Sequence, residues 1–71
     1  MLSNNIRELR QRRGWLLADL AARIGISIPH LSDIERGTKQ PSLQVLIATA
    51  EALDLPLYAL LADADVAETL S

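Results

Sequence analysis

The stretch GISIPHLSDIERGTKQPS, residues 25–42, predicts one short helix with a firm start and a firm end. Ser27 can cap this helix because its hydroxyl accepts from the unpartnered backbone N–H groups of the first turn. Pro29 is tolerated in the same turn, since those N–H groups have no intrahelical acceptors. Gly37 supplies the left-handed conformation that ends many helices. We therefore expect a helix from about Ile28 to Arg36.

This helix has two chemically different sides. At 100° per residue, Leu31, Ile34 and Glu35 share one side, which we expect to face the interior. The opposite side carries Pro29, Ser32, Asp33 and Arg36, and it is flanked by Ile28 and His30. The outer side therefore begins with Ile28 and Pro29, which offer only apolar contact.

The helical spacing of apolar residues continues along the chain, without a strand pattern. Further helices are expected at about residues 3–13, 17–24, 43–53 and 57–62, with glycine, serine or proline at their ends. In the helix at 43–53, the residues expected to face the core are Leu43, Leu46, Ile47, Ala50 and Leu53. The prediction is an all-α, five-helix domain over residues 1–62. Residues 63–71 are expected to be a tail, either a helical extension or frayed chain.

Composition excludes several classes of protein. With 71 residues the chain has room for one small domain. It has no cysteine and one histidine, which excludes disulfides, thiolate zinc sites and histidine-based metal clusters. We find no nucleophile–base pair and no phosphate-cradling glycine loop, and so expect neither an enzyme nor a cofactor. Because no membrane span or signal peptide is found, we expect a cytoplasmic protein without a membrane or metal partner.

The charge of the chain is divided along its length. Residues 1–39 hold all seven Arg and Lys residues against four acids, a net charge of +3. Residues 40–71 hold five acids and no base, a net charge of −5. The N-terminal part can therefore approach a polyanion, whereas the C-terminal part would be repelled by it. A chance division of charge in a small domain is the alternative.

Two short helices joined by a turn that contains glycine form a helix-turn-helix, here residues 17–36. Residues 17–53, LADLAARIGISIPHLSDIERGTKQPSLQVLIATAEAL, resemble the helix-turn-helix domains of the lambda-repressor-like family, also called the XRE family. The matching positions are Leu20-Ala21, Gly25-Ile26-Ser27, Leu31-Ser32, Ile34-Glu35-Arg36-Gly37 and Pro41-Ser42-Leu43. IRELRQRRG, residues 6–14, is similar to the family's first helix, so the resemblance covers roughly residues 5–62.

The resemblance implies a five-helix lambda-repressor-like domain that binds a double-stranded DNA operator, usually as a symmetric dimer. The third helix would enter the major groove with its N-terminal part, and the second would lie across the backbone. On this arrangement we expect phosphate contacts from Arg7, Arg10, Arg13, Arg36 and Lys39. We expect the base edges to be faced by Ile28, Pro29, His30, Ser32 and Asp33. A helix-1 arginine in some family members pairs with the helix-3 acid, so Arg10 is also expected to pair with a mostly buried Glu35.

The chain departs from the family at the start of its second helix. Many members have Ser or Thr there, followed by Gln, where this chain has Leu16 and Leu17. Leu16 cannot cap the helix, which removes an interaction of about 1 kcal/mol. The reading side of the third helix also lacks the Arg, Lys, Asn and Gln side chains that most often discriminate bases. This chemistry favours modest specificity, or reliance on backbone contacts and DNA shape.

The C-terminal third carries more leucine than a small domain can bury, which favours a homodimer contact. The residues expected at that contact are Leu55, Leu57, Leu60 and Leu61. Trp15 is expected to cap the core between helices 1 and 2. The leading hypothesis is a sequence-specific DNA-binding transcriptional regulator that acts as a repressor. The alternative is an antitoxin-like or adaptor module that binds a protein through Leu16-Leu17 and Ile28-Pro29.

Overall fold

The computed structural model describes residues 4–61, which form α1 (Asn4–Arg12), α2 (Leu17–Ile24), α3 (Ile28–Arg36), α4 (Leu43–Leu53) and a 3-10 helix (Leu57–Leu61). No strand occurs within this range. The predicted bounds of α2, α3 and α4 are confirmed. The predicted first helix ends one residue early, because Arg13 already lies in the turn that leads to Gly14.

Local chemistry fixes the starts of α3 and α4 and the end of α2. Ser27 Oγ accepts from the backbone N–H of His30 at 3.1 Å, and Ser42 Oγ accepts from that of Val45 at 3.2 Å. Gly25 ends α2 with a φ of 89°, a left-handed conformation that glycine adopts without a Cβ clash. These caps depend on neighbours within three or four residues, which is why the sequence predicted them.

The core lies where α2 meets α3 and α4, with α1 and the 3-10 helix closing it. Its fully buried side chains come from every described element, and burial of this apolar surface is the main force that holds the helices together. The buried apolar residues are Ile6, Leu20, Ala21, Leu31, Ile34, Leu46, Ala50, Leu53 and Leu60. Trp15 is half-buried and packs against this cluster, at the position between α1 and α2 that was expected.

The core-facing side of α4 differs from the prediction. Leu43 and Ile47 are 64% and 44% exposed, so their predicted place in the core is wrong. The buried side is rotated by about 45° toward Thr49, which is fully buried. Thr49 can occupy the interior because its hydroxyl donates to the Val45 carbonyl at 2.7 Å. The spacing of apolar residues cannot predict the burial of a polar residue whose hydroxyl is hydrogen-bonded within its own helix.

The fifth predicted helix is present only as the 3-10 helix Leu57–Leu61, so the described fold has four α-helices. The predicted tail, residues 63–71, lies outside the described residues, as do Ala62 and the side chain of Leu61. In the part of the chain that the structure describes, no helix has both the length and the hydropathy to cross a bilayer.

Candidate nucleic-acid interface

The helix-turn-helix is built around the turn between α2 and α3. The backbone N–H groups of Gly25 and Ile26 both donate to the Ala21 carbonyl, at 2.8 and 3.1 Å, which closes the end of α2. Ser27, two residues after Gly25, then caps the start of α3. Because both helix ends are fixed within three residues, the angle at which α3 leaves α2 is set locally.

The predicted inner side of α3 is confirmed, because Leu31, Ile34 and Glu35 are buried. On the outer side, Ile28 and Pro29 at the N-terminal end are exposed, and so is Arg36 at the C-terminal end. The base-facing candidates between them, His30, Ser32 and Asp33, are half-buried. The outer side of α3 is therefore open to solvent and to a large partner.

The polar residues of this outer side contact one another. Arg36 Nη1 donates to Ser32 Oγ at 2.9 Å, and Arg36 Nη2 donates to Asp33 Oδ1. Lys39 Nζ lies 4.0 Å from Asp33 Oδ2. Asp33 was predicted to face bases, and the structure places its carboxylate beside two cations of the same chain.

The loop after α3 is attached to the same residue through its backbone. The Asp33 carbonyl accepts from the Thr38 N–H at 3.0 Å, the Thr38 hydroxyl at 3.0 Å and the Lys39 N–H at 3.3 Å. Thr38 was not among the predicted site residues. The sequence feature that could have indicated it is a hydroxyl residue directly after the glycine that ends a helix. There the hydroxyl can donate to a backbone carbonyl of the last turn that has no intrahelical partner. These bonds keep Lys39 next to the end of α3.

Arg10 of α1 forms a nearly buried ion pair with Glu35 of α3. Its Nε donates to Glu35 Oε2 at 2.8 Å and its Nη2 donates to Glu35 Oε1 at 3.0 Å, while its Nη1 donates to the Trp15 carbonyl at 2.8 Å. The side chains of Arg10 and Glu35 are only 11% and 5% exposed. The expected buried pair is thus present, and the predicted phosphate contact from Arg10 is wrong because its guanidinium is bonded within the protein.

The other predicted arginines of the first helix region lie in different surroundings. Arg7 is exposed on α1. Arg13 donates to the Leu53 carbonyl at the end of α4, and its guanidinium lies 5.7 Å from the centre of the Trp15 ring. Arg23, which was not predicted as a site residue, stacks closer to the same ring, at 4.1 Å. Arg13 and Arg23 thus hold the loop between α1 and α2 through cation–π contacts.

The start of α2 has half of a capping box. The Asp19 carboxylate accepts from the backbone N–H of Leu16 at 2.8 Å. Leu16 has no polar atom to return the contact, and it makes no side-chain cap. The expected loss of the cap is therefore confirmed, and the leucine side chain is exposed. Leu17, by contrast, packs against the core.

The four leucines predicted at a dimer contact do not share one environment. Leu60 is 1% exposed and belongs to the core, so its predicted role at a dimer surface is wrong. Leu55 and Leu57 are half-buried against the core. Among the described side chains of this half, the large apolar ones that are exposed are instead Leu43 and Ile47 of α4 and Tyr58 of the 3-10 helix. The number of leucines in the sequence does not show which of them lie in the interior, so these exposed residues were not predicted.

Comparison with known proteins gives consistent results. The sequence profile of the helix-turn-helix family matches residues 6–60. The HTH-type transcriptional regulator DdrOP3 of Deinococcus deserti is 45% identical over 60 residues, which cover 84% of this chain and 46% of that protein. This chain spans about half the length of the curated relatives that it matches.

Solved structures share the fold. The N-terminal DNA-binding domain of SinR from Bacillus subtilis matches with a TM-score of 0.80 at 32% identity, covering 90% of this chain and 94% of that one. A structure of SinR in complex with DNA matches with a TM-score of 0.79 at 34% identity, covering 86% of this chain and 98% of the other.

Proposed function

This chain belongs to the lambda-repressor-like (XRE) helix-turn-helix family, and on that premise we propose that it is a sequence-specific DNA-binding transcriptional regulator. The observation that carries the proposal is the outer side of α3, which is open at both ends while its inner side is buried. The DNA-bound structure of SinR, a similar protein, supports the same use of the fold. The division of charge, with all bases at or before Lys39, also supports it.

In this proposal α3 enters the major groove with its N-terminal part. Ile28 and Pro29 make apolar contacts, for which a thymine methyl group is the suitable partner. His30 and Ser32 supply the polar contacts to base edges, because both can donate and accept hydrogen bonds. Asp33 belongs to the predicted base-facing set, and its carboxylate is the acceptor that would suit cytosine N4.

Phosphate contacts come from the cations around this groove-facing side. Arg36 and Lys39 flank the end of α3, where both side chains are exposed, and Arg7 is exposed on α1. Arg13 is exposed as well, and its phosphate contact stays a prediction. Such contacts fix the position and orientation of the protein on the duplex but carry no sequence information directly. With so few polar side chains at the base edges, recognition depends on the backbone contacts and on DNA shape as well.

We further propose that the chain acts as a repressor and in the cytoplasm, where its operator is located. A domain that occupies DNA can block access of other proteins without any further contact, which makes repression the simpler outcome. The chain spans about half the length of the curated relatives that it matches. This proposal therefore concerns the DNA-binding step.

Dimerisation is a separate part of the proposal. We infer a homodimer formed by α4 and the following segment, the position of the predicted fifth helix. Leu43 and Ile47 lie one turn apart on an exposed side of α4, and Tyr58 adds an exposed aromatic ring. Two copies joined there would present their α3 helices to two half-sites, as two-fold symmetry requires. Leu55 and Leu57, which are half-buried against the core, stay predictions for this contact, as does Leu61.

A protein-interaction module is the second candidate. The exposed side chains of Leu16 and Ile28 favour it, because apolar residues at the starts of two helices suit a protein partner as well as DNA. Leu17 contributes less than predicted, since it packs against the core. Retention of a stoichiometric protein from lysate, with no retention on heparin, would support this candidate over DNA binding.

The experiment that tests the leading proposal is fluorescence anisotropy of labelled duplexes over a salt series. The duplexes are first selected by the protein from a random pool. We expect the selected sequence to bind more tightly than a scrambled one, and both affinities to fall linearly with salt on logarithmic axes. Absence of binding at low salt, or an affinity that does not respond to salt, would contradict the proposal.

A further inference from the structure

One carboxylate faces two of the cations that are proposed to contact phosphate. Asp33 accepts from Arg36 through Oδ1, and its Oδ2 lies 4.0 Å from Lys39 Nζ. The Asp33 side chain is 29% exposed, whereas those of Arg36 and Lys39 are about 60% exposed. The anion is therefore the more confined member of the group, and the two cations are the members that can turn outward.

The carboxylate and the backbone of Asp33 have separate tasks. Its carbonyl accepts the three hydrogen bonds that attach Thr38 and Lys39 to the end of α3. Within residues 4–61, its carboxylate contributes only the contacts to Arg36 and Lys39. Substitution of the side chain by asparagine therefore removes the charge and leaves the attachment of the loop in place.

We propose that Asp33 is a positioning residue that restrains Arg36 and Lys39 and so limits the affinity of the protein for DNA phosphate. This inference rests on the proposed DNA-binding function and replaces the predicted contact of Asp33 with cytosine. A phosphate must compete with the carboxylate for the Nη2 donor of Arg36, and for the charge of Lys39 at an ion-pair distance of 4.0 Å. Each cation that stays on Asp33 releases no counterion from the duplex, which lowers both the affinity and its dependence on salt.

The restraint acts on contacts that are independent of sequence. Phosphate contacts supply most of the binding to random DNA, and the strength of that binding determines how much protein is held away from its operator. Asp33 thus weakens the part of the interaction that every sequence offers. A base contact by Asp33 would behave differently, because it would change the preference at one base pair.

The test is Asp33→Asn, measured by anisotropy against the selected duplex and against a scrambled duplex. We expect affinity to rise about two- to five-fold on both duplexes, the range of an exposed ion pair. We expect the slope of log affinity against log salt to become steeper by about 1 for each additional phosphate that the variant neutralises. Glu8→Gln, which removes the exposed carboxylate that contacts Arg12 on α1, is the matched control and should change neither quantity, since Arg12 is not among the proposed phosphate contacts.

A variant cycle separates restraint from simple repulsion between Asp33 and DNA. The increase in affinity from Asp33→Asn should disappear when Arg36 and Lys39 are both replaced by alanine. An equal increase in that background would overturn the inference, and so would a loss of affinity or a changed preference at one base pair. If the unaltered protein binds no duplex at low salt, the proposed function itself fails, which is a distinct result.

Discussion

Arg10 and Glu35 join the first helix of the domain to its third through two parallel hydrogen bonds, at 2.8 and 3.0 Å, in surroundings from which water is nearly excluded. The third donor group of the guanidinium binds the Trp15 carbonyl, so the pair also fixes the loop between α1 and α2. Glu35 lies on the inner side of α3, directly behind the residues proposed to meet DNA. The pair therefore sets the orientation of α3 relative to the rest of the domain.

Removal of Arg10 should be costly for stability. Arg10→Ala leaves the Glu35 carboxylate buried without its cation, and we expect the free energy of unfolding to fall by about 3–5 kcal/mol. Arg10→Lys keeps a charge but not the paired geometry, and should give an intermediate loss. Urea denaturation followed by the fluorescence of Trp15, the only tryptophan, measures both.

The control for this comparison is a second arginine on the same helix. Arg12 contacts Glu8 at 2.7 Å, and both side chains are exposed. Because exposed pairs contribute little, Arg12→Ala should change the free energy of unfolding by no more than about 0.5 kcal/mol. Equal losses from Arg10→Ala and Arg12→Ala would show that the buried pair has no special role in the fold.

Completing the capping box at the start of α2 should raise the free energy of unfolding. Asp19 already accepts from the Leu16 N–H, so Leu16→Ser adds the missing hydroxyl opposite it. We expect a stabilisation of about 1 kcal/mol, since little apolar burial is lost from a leucine that is exposed. Thermal unfolding by circular dichroism measures the change. Leu16→Ala serves as the control, and a stabilisation by alanine equal to that by serine would refute the capping explanation.

Substitutions on α3 should divide into two kinds when DNA affinity is measured. Arg36→Ala removes a phosphate contact, so affinity should fall on every sequence and the salt slope should decrease by up to about 1, and by less to the extent that Asp33 holds the guanidinium. Ser32→Ala removes a base contact made by a single hydroxyl, so the loss should depend on the base pair opposite, by about 0.5–1.5 kcal/mol at that position. Anisotropy with single-base variants of the selected duplex distinguishes the two. A sequence-dependent loss from Arg36→Ala would reverse the assigned roles.

The exposed side of α4 should determine self-association. Ile47→Glu places a charge in the proposed apolar contact, and we expect it to convert the dimer to a monomer without loss of helix content. Gln11→Glu introduces the same charge at an exposed polar position of α1, outside the proposed contact, and should leave association unchanged. Sedimentation equilibrium over a range of protein concentrations measures both. A dimer of unchanged strength in Ile47→Glu would place the contact elsewhere.

The features that the sequence predicted are those decided by near neighbours. Ser27 and Ser42 begin helices, and Gly25 and Gly37 end them, by bonds that span three or four residues. The outer side of α3 followed from the helical period alone. The Arg10–Glu35 pair was anticipated from the resemblance to the family, because 25 residues separate its members in the chain.

The features that could not be predicted depend on tertiary packing. By their spacing alone, Leu43 and Ile47 are as suitable for the core as Leu46 and Leu53. Which pair is buried depends on the rotation of α4 about its axis in the folded domain. That rotation buries Thr49, whose self-satisfied hydroxyl has no signal in a pattern of apolar residues. Arg10 was assigned two incompatible roles, and only the geometry of its three donor groups excludes the contact with phosphate.

The measurement that tests the central claim most directly is a map of backbone amide chemical shifts by NMR as the selected duplex is added. The claim is that DNA meets the outer side of α3. We predict that the largest changes fall within residues 28–39, with small changes in α4 beyond Ser42 and in the 3-10 helix. Changes centred on Ile47 and Tyr58, or an absence of changes in α3 at saturating duplex, would contradict the account.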